Sequence, residues 1–315
     1  MRTQWKKIII GVASLVGVAC AVFGFAAWHL YREAEQTAAK MYLDPDKPMY
    51  VSQDPQVMAK KAQNTSVSSE GPKPLTILLL GVDERNQDQG RTDTIMVASV
   101  NPARKSMLLF NIPRDTRTAI IGRNRTDKIN HAYAYGGLSS SIQSVEHFLD
   151  YPIDYYIKVN MEAFVRTIDL VGGIEISNPF AFTYSGHTFD KGNIELNGRE
   201  ALLYSRMRFE DPRGDLGRNE RQRAIIGQLL EKSGNIKILT QIEKLLEEAG
   251  NSVQTNLKFG DMRTLLTEYR SGIKNVQTTE IRGAGEKLDG IWYYRVEEAE
   301  RKRLHDLLKN HQNGA

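Results

Sequence analysis

Residues 75–112 read LTILLLGVDERNQDQGRTDTIMVASVNPARKSMLLFNI. Three apolar runs stand out: LTILLLGV (75–82), TIMVASVN (94–101) and SMLLFNI (106–112). Each is short and rich in Leu or β-branched residues, so each reads as a buried strand. Downstream, SIQSVEHFLD (141–150) spaces Ile142, Val145, Phe148 and Leu149 as a helix does, and DYYIKVN (154–160) reads as another strand. MEAFVRTIDLVGG (161–173) is a helix stopped by two glycines, and NGREALLYS (197–205) is a helix with Asn197 as N-cap. Further helices are expected at 217–233, 237–249 and 259–271, strands near 276–282 and 291–296, and a last helix to 309. Strands interleaved with helices imply an α/β, three-layer sandwich around a central mixed β-sheet flanked by helices, forming one domain over 75–315.

The chain has 315 residues, 41% hydrophobic and 25% charged, an ordinary globular composition. Its net charge is +4, but Arg2, Lys6 and Lys7 lie at the extreme N-terminus and leave 39 basic against 38 acidic residues elsewhere. Such a nearly neutral body excludes a nucleic-acid-coating protein, which is basic over a whole face. Cys20 is the only cysteine, so there is no intramolecular disulfide and no thiolate chemistry in the rest of the chain.

IIIGVASLVGVACAVFGFAAW (8–28) carries no charge over 21 residues. As a helix it would reach about 31 Å, enough for a hydrocarbon core about 30 Å thick. The run is longer than the ~7–15 residues of a signal-peptide core, which favours an uncleaved anchor. The basic residues before it predict a cytoplasmic tail (1–7), a transmembrane helix (8–28) and a single-pass type II protein of the cell membrane. DPDKP, DPQ and NTSVSSEGPKP then predict an extracellular stem over 29–74 with little apolar burial, after a short polar helix reaching Met41.

Chemistry-bearing residues gather in the loops between these elements. In GVDERNQDQGRTDTI (81–95), Asp83 and Asp93 sit at strand ends, on one sheet edge if the strands are antiparallel neighbours. Two carboxylates without nearby His or Cys suit Mg²⁺ completed by phosphate oxygens and water; the alternative is acids paired with Arg85 and Arg91. NIPRDT (111–116) aims Arg114 from a strand exit held extended by Pro113. TDKINHAYAYGG (126–137) offers Lys128 to an anionic substrate, while His131 among aromatics reads as structural.

YSRMRFEDPRGDLGRNERQR (204–223) holds six arginines and no lysine. Guanidinium groups match phosphate oxygens two at a time, which points to oriented phosphate contacts. The interleaved acids equally permit a surface helix held by ion pairs. Arg206 and Arg208 share a face where the chain is extended beyond Ser205, and Arg218, Arg221 and Gln222 share a helix face. That helix N-terminus favours an anion, with Asp215 as N-cap or base.

Taken together, LLLGVD…RTD, NIPRD, DKINHAYAYGG, LVGGI, LNGREALLYSRMR and GDLGRNERQR resemble the LytR–CpsA–Psr family, in order, over about residues 75–235. The resemblance implies a membrane-anchored transferase that moves a glycopolymer, such as wall teichoic acid, from a polyprenyl-pyrophosphate carrier to peptidoglycan. It implies an α/β domain with an apolar groove for the lipid. The family's metal aspartates match Asp83 and Asp93, for Mg²⁺ or Mn²⁺. Its pyrophosphate-binding residues match Arg85, Arg91, Arg114, Arg206, Arg208 and Arg218, with Gln222 beside them. Such a transfer rests on positioning and charge neutralisation; Asp93 and Asp215 are both open as the base. The rival readings are a hydrolase using the same site and a non-catalytic regulator or scaffold. No nucleic-acid partner is expected.

Overall fold

A computed structural model describes residues 28–29, 31–48, 50–65, 72–83, 90–232, 252–269 and 275–313. The expected span 8–28, apart from Trp28, and the expected helix 237–249 lie outside them. Among the described residues no helix is long and apolar enough to cross a membrane.

The first three strands are β1 (Leu75–Val82), β2 (Thr92–Asn101) and β3 (Ser106–Asn111), joined antiparallel in sequence order. β6 (Tyr155–Asn160) pairs parallel with β1, β11 (Val253–Thr255) antiparallel with β6, and β12 (Val276–Thr278) parallel with β3. The result is a mixed six-stranded sheet in the order β11-β6-β1-β2-β3-β12.

Strand side chains alternate between two faces. Leu78, Leu80, Ile95, Val97, Leu108 and Phe110 pack with Phe148 of α2 (His131–Leu149) and with Leu304 and Leu308 of α7 (Glu298–Asn313). Ile77, Met96, Ala98, Val100, Met107 and Leu109 pack against Ile226 and Leu230 of α5 (Asp215–Lys232) and Leu265 of α6 (Phe259–Glu268). Helices thus cover both faces, as the alternation of runs predicts. α2 begins ten residues before the expected 141 and passes through Gly136 and Gly137, whose backbone is non-helical. Gly137 has φ 62°, a conformation that costs glycine little.

A second core joins α3 (Met161–Leu170) and α4 (Gly198–Arg206) to small antiparallel pairs. These are β7 (Ile174–Asn178) with β10 (Gly192–Leu196), and β8 (Phe182–Tyr184) with β9 (His187–Phe189). Asn197 caps α4 in a capping box with Glu200, as its sequence predicts. Two further hairpins are β4 (Arg117–Ile120) with β5 (Arg125–Lys128), and β13 (Ala284–Leu288) with β14 (Ile291–Arg295).

The stretch expected as a stem docks on the domain. Helical residues 31–41 lead to Leu43, whose N–H donates to the Thr255 carbonyl at 2.8 Å. Val57 of α1 (Pro55–Thr65) enters the core beside α2 and α7. The other anchors are polar: Lys47 on Glu146 at 2.9 Å, the Tyr50 hydroxyl on Asp150 at 2.9 Å, and Lys309 on Asp54 at 2.5 Å. Composition understates such docking because it weighs apolar burial alone.

Candidate active site

β1, β3 and β6 end, and β2 begins, at one edge of the sheet. Ligands of open α/β sheets gather beyond the carboxyl ends of the strands. Gly81 pairs with Thr94 but Val82 pairs with Thr92, so Asp93 is the extra residue of a β-bulge. A bulge re-aims its side chain, and here Asp93 turns into the cleft. Gly81 permits the close approach: a Cβ there would stand 3.0 Å from the Thr94 Cβ. The Asp83 N–H closes the base of the connecting loop on the Arg91 carbonyl at 3.2 Å. Both expected metal aspartates therefore occupy the same edge.

Each is held by an arginine. Arg114 Nη1 lies 2.5 Å from Asp93 Oδ1, and Arg206 Nη2 lies 3.6 Å from Asp83 Oδ2. Burial works against the Arg114 charge, but Asp93, Asp115 and Asp215 outweigh it and raise its pKa above the ordinary value. Arg218 is 5% exposed, and burial, with the charges of Arg114 and Arg208, lowers its pKa despite Asp215 and Asp93. Arg218 Nη2 has the Asp215 carboxylate at 2.5 Å as an ion pair without hydrogen-bond geometry. Arg218 Nε and Arg114 Nε are buried donors with no hydrogen-bond partner. Unpaired buried donors cost about 1–3 kcal/mol each and mark a place built for acceptor oxygens.

Arg206 and Arg218 border a cavity of about 190 Å³ on the α5 side of the sheet. Its walls are apolar, among them Leu79, Met96, Phe164, Leu202, Ile226 and Leu229. Its polar lining includes Asp93, Arg206, Arg218 and Gln222. Sequence reasoning missed these walls because a Leu facing a cavity looks like a Leu facing the core.

The six arginines of 204–223 divide between both expectations. Arg206 and Arg218 line the cavity, although Arg206 is the last residue of α4 rather than beyond it. Arg208 stacks on exposed Phe209, 4.4 Å from the ring centroid. Arg221 turns inward to buried Asp211 and to the carbonyls of Tyr204 and Met207, not toward the cavity. Arg223 reaches Asn111 at 3.2 Å and Glu280 at 3.0 Å, and Arg213 pairs with Glu220 and Glu280. Gln222 accepts from Asn111 at 3.1 Å, tying the cavity lining to the end of β3.

Of the remaining expected contacts, Lys128 pairs with Asp115 at 2.8 Å, beside Arg114. Arg91 is exposed at the rim, and Arg85 lies outside the described residues. Asp215 opens α5 and pairs with Arg218 three positions on. His131 lies 3.1 Å from buried Asp127, the structural role expected of it.

Among the described residues no group of three or more His, Cys, Asp or Glu side chains gathers as a metal site. Asp83 and Asp93 nevertheless fit a hard divalent cation, because two carboxylates at one strand edge without His or Cys are the hard oxygen donors Mg²⁺ takes.

The LytR_cpsA_psr family profile matches residues 32–310. A Bacillus subtilis (strain 168) protein, polyisoprenyl-teichoic acid–peptidoglycan teichoic acid transferase TagU, is 40% identical over 308 residues, 98% of this chain and 96% of its own. The crystal structure of B. subtilis TagU matches with a TM-score of 0.63 at 40% identity, over 78% of this chain and 99% of that one. A structure of TagT bound to LI-WTA matches with a TM-score of 0.66 at 25% identity, over 79% of this chain and 95% of that one. With the profile and TagU each spanning most of its length, the chain belongs to the LytR_cpsA_psr family.

Proposed function

We propose that this protein is a membrane-anchored phosphotransferase that moves an anionic glycopolymer, of the teichoic-acid class named for TagU, from a polyprenyl-pyrophosphate carrier to a sugar hydroxyl of peptidoglycan. One observation carries the reading: an apolar cavity bordered by Arg206 and Arg218, with buried guanidinium donors that lack acceptors. An amphiphile with an apolar tail and a multiply charged anionic head suits both halves. The prenyl chain lies between Phe164, Leu202 and Leu229, and the diphosphate meets Arg114, Arg206, Arg208 and Arg218, with Arg91 and Lys128 at the rim. Residues 8–28 hold the protein to the membrane in which that lipid resides.

In the transfer an acceptor hydroxyl oxygen attacks the sugar-side phosphorus. A new P–O bond completes a phosphodiester as the P–O–P bridge breaks, and polyprenyl phosphate leaves with the bridging oxygen and its electron pair. The arginines hold the leaving phosphate as its charge grows, a preorganised electrostatic contribution. The hydroxyl proton passes to a carboxylate, Asp93 or Asp215, both of which an arginine holds at the cleft. Mg²⁺ or Mn²⁺ on Asp83 and Asp93 would supply further neutralisation of phosphate oxygens.

Mass spectrometry of products tests the reading. The full chain in detergent, a synthetic lipid-pyrophosphate glycan, peptidoglycan oligomers and Mg²⁺ should yield a phosphodiester-linked conjugate and polyprenyl phosphate. Release of free phosphorylated glycan alone would identify a hydrolase. Undiminished product from Asp83→Asn and Asp93→Asn would remove both acids from the mechanism, and no product of either kind from the parent would leave only a scaffold.

A further inference from the structure

Residues 207–214 form the loop that joins α4 to α5, and cavity residues stand at both its ends. Arg206, immediately before the loop, lines the cavity and faces Asp83 at 3.6 Å. Arg218, in the first turn of α5, lines it as well. Phe209 follows Arg206 by three positions, which keeps their Cα atoms within about 11 Å of each other. Its ring is 82% exposed, more than any other large hydrophobic side chain among the described residues.

That exposure does not come from a slack chain. Met207 is fully buried in the core of Tyr204 and Ile225, and its carbonyl accepts from buried Arg221. Asp211 fixes the far side: its carboxylate accepts from Arg221 and from the Arg213 N–H at 2.7 Å. Its own N–H turns back to the Arg208 carbonyl at 3.3 Å, and Gly217 of α5 makes room for it, since a Cβ there would overlap the carboxylate. Between them, Glu210 Oε2 accepts from the Thr183 N–H at 3.2 Å and pins the loop to β8. A ring left in water adds nothing to the core, yet the backbone on both sides of Phe209 is anchored.

One face of the ring is taken. The Arg208 guanidinium stacks on it, 4.4 Å from the centroid, and the opposite face is open. Burial lowers the Arg218 pKa first, and the charges of Arg114 and Arg208 add to it, so Arg208 stands within electrostatic reach of the cavity lining. A sugar joined to a diphosphate complements this pair. Its phosphate suits a guanidinium, and the C–H face of its ring suits the negative face of an aromatic. In such a donor a single oxygen joins phosphate to sugar, and here a single peptide bond joins Arg208 to Phe209. We propose that Phe209 is a stacking platform for the sugar attached to the donor's diphosphate, with Arg208 shared between that ring and the phosphate. This rests on the transferase reading and adds to it a residue that distinguishes a glycan-loaded carrier from the bare lipid pyrophosphate.

Titration calorimetry on the full chain in detergent tests it, with a short-chain prenyl pyrophosphate as probe, either bare or carrying one hexose on its outer phosphate. Phe209→Leu keeps an apolar side chain but removes the flat ring. It should weaken the hexosyl probe about three- to tenfold, the size of one ring-stacking contact, and leave the bare probe within about twofold. Phe209→Tyr should match the parent on both. Equal losses on the two probes would reduce Phe209 to a support for Arg208, and no loss on either would leave it without a role. Each result overturns the proposal while the transferase reading stands. A loss seen in lipid vesicles but not in detergent would overturn it too, making the ring a membrane contact. So would a higher KM for peptidoglycan oligomers with unchanged affinity for the hexosyl probe, which would seat the acceptor's sugar there. If the parent binds neither probe, the transferase reading fails and the proposal falls with it.

Discussion

Arg114 donates from Nη1 to Asp93 Oδ1 at 2.5 Å, so the arginine at the exit of β3 is bound to the bulged aspartate at the entry of β2. Arg206 and Asp83 repeat the arrangement at 3.6 Å. In both pairs an expected phosphate ligand holds an expected metal ligand. A pyrophosphate draws the arginines to itself and frees the acids for a cation, and the cation does the reverse. Donor and cation should therefore bind cooperatively. Mn²⁺ affinity, read by electron paramagnetic resonance, should rise about tenfold with a prenyl pyrophosphate present, within the usual range for coupled sites. Asp93→Asn should abolish the coupling. Equal Mn²⁺ affinity with and without the lipid would contradict it.

Arg218→Met should separate function from stability. Removing the guanidinium relieves buried unpaired donors, about 1–3 kcal/mol, and gives up its ion pair with Asp215, two effects of opposite sign. The melting temperature should change little, while kcat falls about 10²–10³-fold, as on loss of a donor that stabilises developing charge. A marked drop in melting temperature would assign Arg218 to the scaffold.

Arg221→Met should do the opposite. Arg221 and Asp211 are 6% and 4% exposed and pair with each other. Stranding a buried carboxylate costs about 3–5 kcal/mol, measurable by denaturant unfolding, while the folded fraction keeps its turnover. A stable but inactive variant would place Arg221 in the cleft instead.

Asp127 should contribute to acid stability. Burial alone would raise its pKa, but His131, the Tyr135 hydroxyl and the Lys128 N–H together hold it at about 2. Because the folded value lies below the unfolded one, about 3.9, the contribution is complete above pH 4 and disappears as pH falls toward 2. Asp127→Asn should lose on the order of 2 kcal/mol at pH 7 and flatten the stability profile between pH 4 and pH 2. Parallel profiles for the two proteins would refute this.

Leu229→Trp should fill the cavity between α3 and α5. KM should rise several-fold for long-chain prenyl donors and much less for a short-chain analogue. An equal effect on both would place the lipid elsewhere.

The sheet was legible because β1, β2 and β3 are apolar runs bounded by polar turns. The shared strand edge of Asp83, Asp93 and Arg114 was legible because they stand near the ends of β1, β2 and β3. β14 answers the strand expected near 291–296, but β4, β5 and β13 were not legible, since RTAI, RTDK and AGEKL carry no apolar alternation. Nor could sequence separate Arg218 from Arg221. The two lie three residues apart on α5, and only Asp211, folded back beneath the helix, decides which points inward. The bulge at Asp93 depends on register, which an apolar pattern does not encode at a single residue.

A crystal structure of the protein with a non-transferable prenyl-pyrophosphate glycan tests the central claim most directly. The diphosphate oxygens should lie about 2.7–3.2 Å from guanidinium nitrogens of Arg218 and Arg206, with the prenyl chain between Phe164 and Leu229. A diphosphate bound away from Arg218, or a lipid chain outside that cavity, would contradict the account.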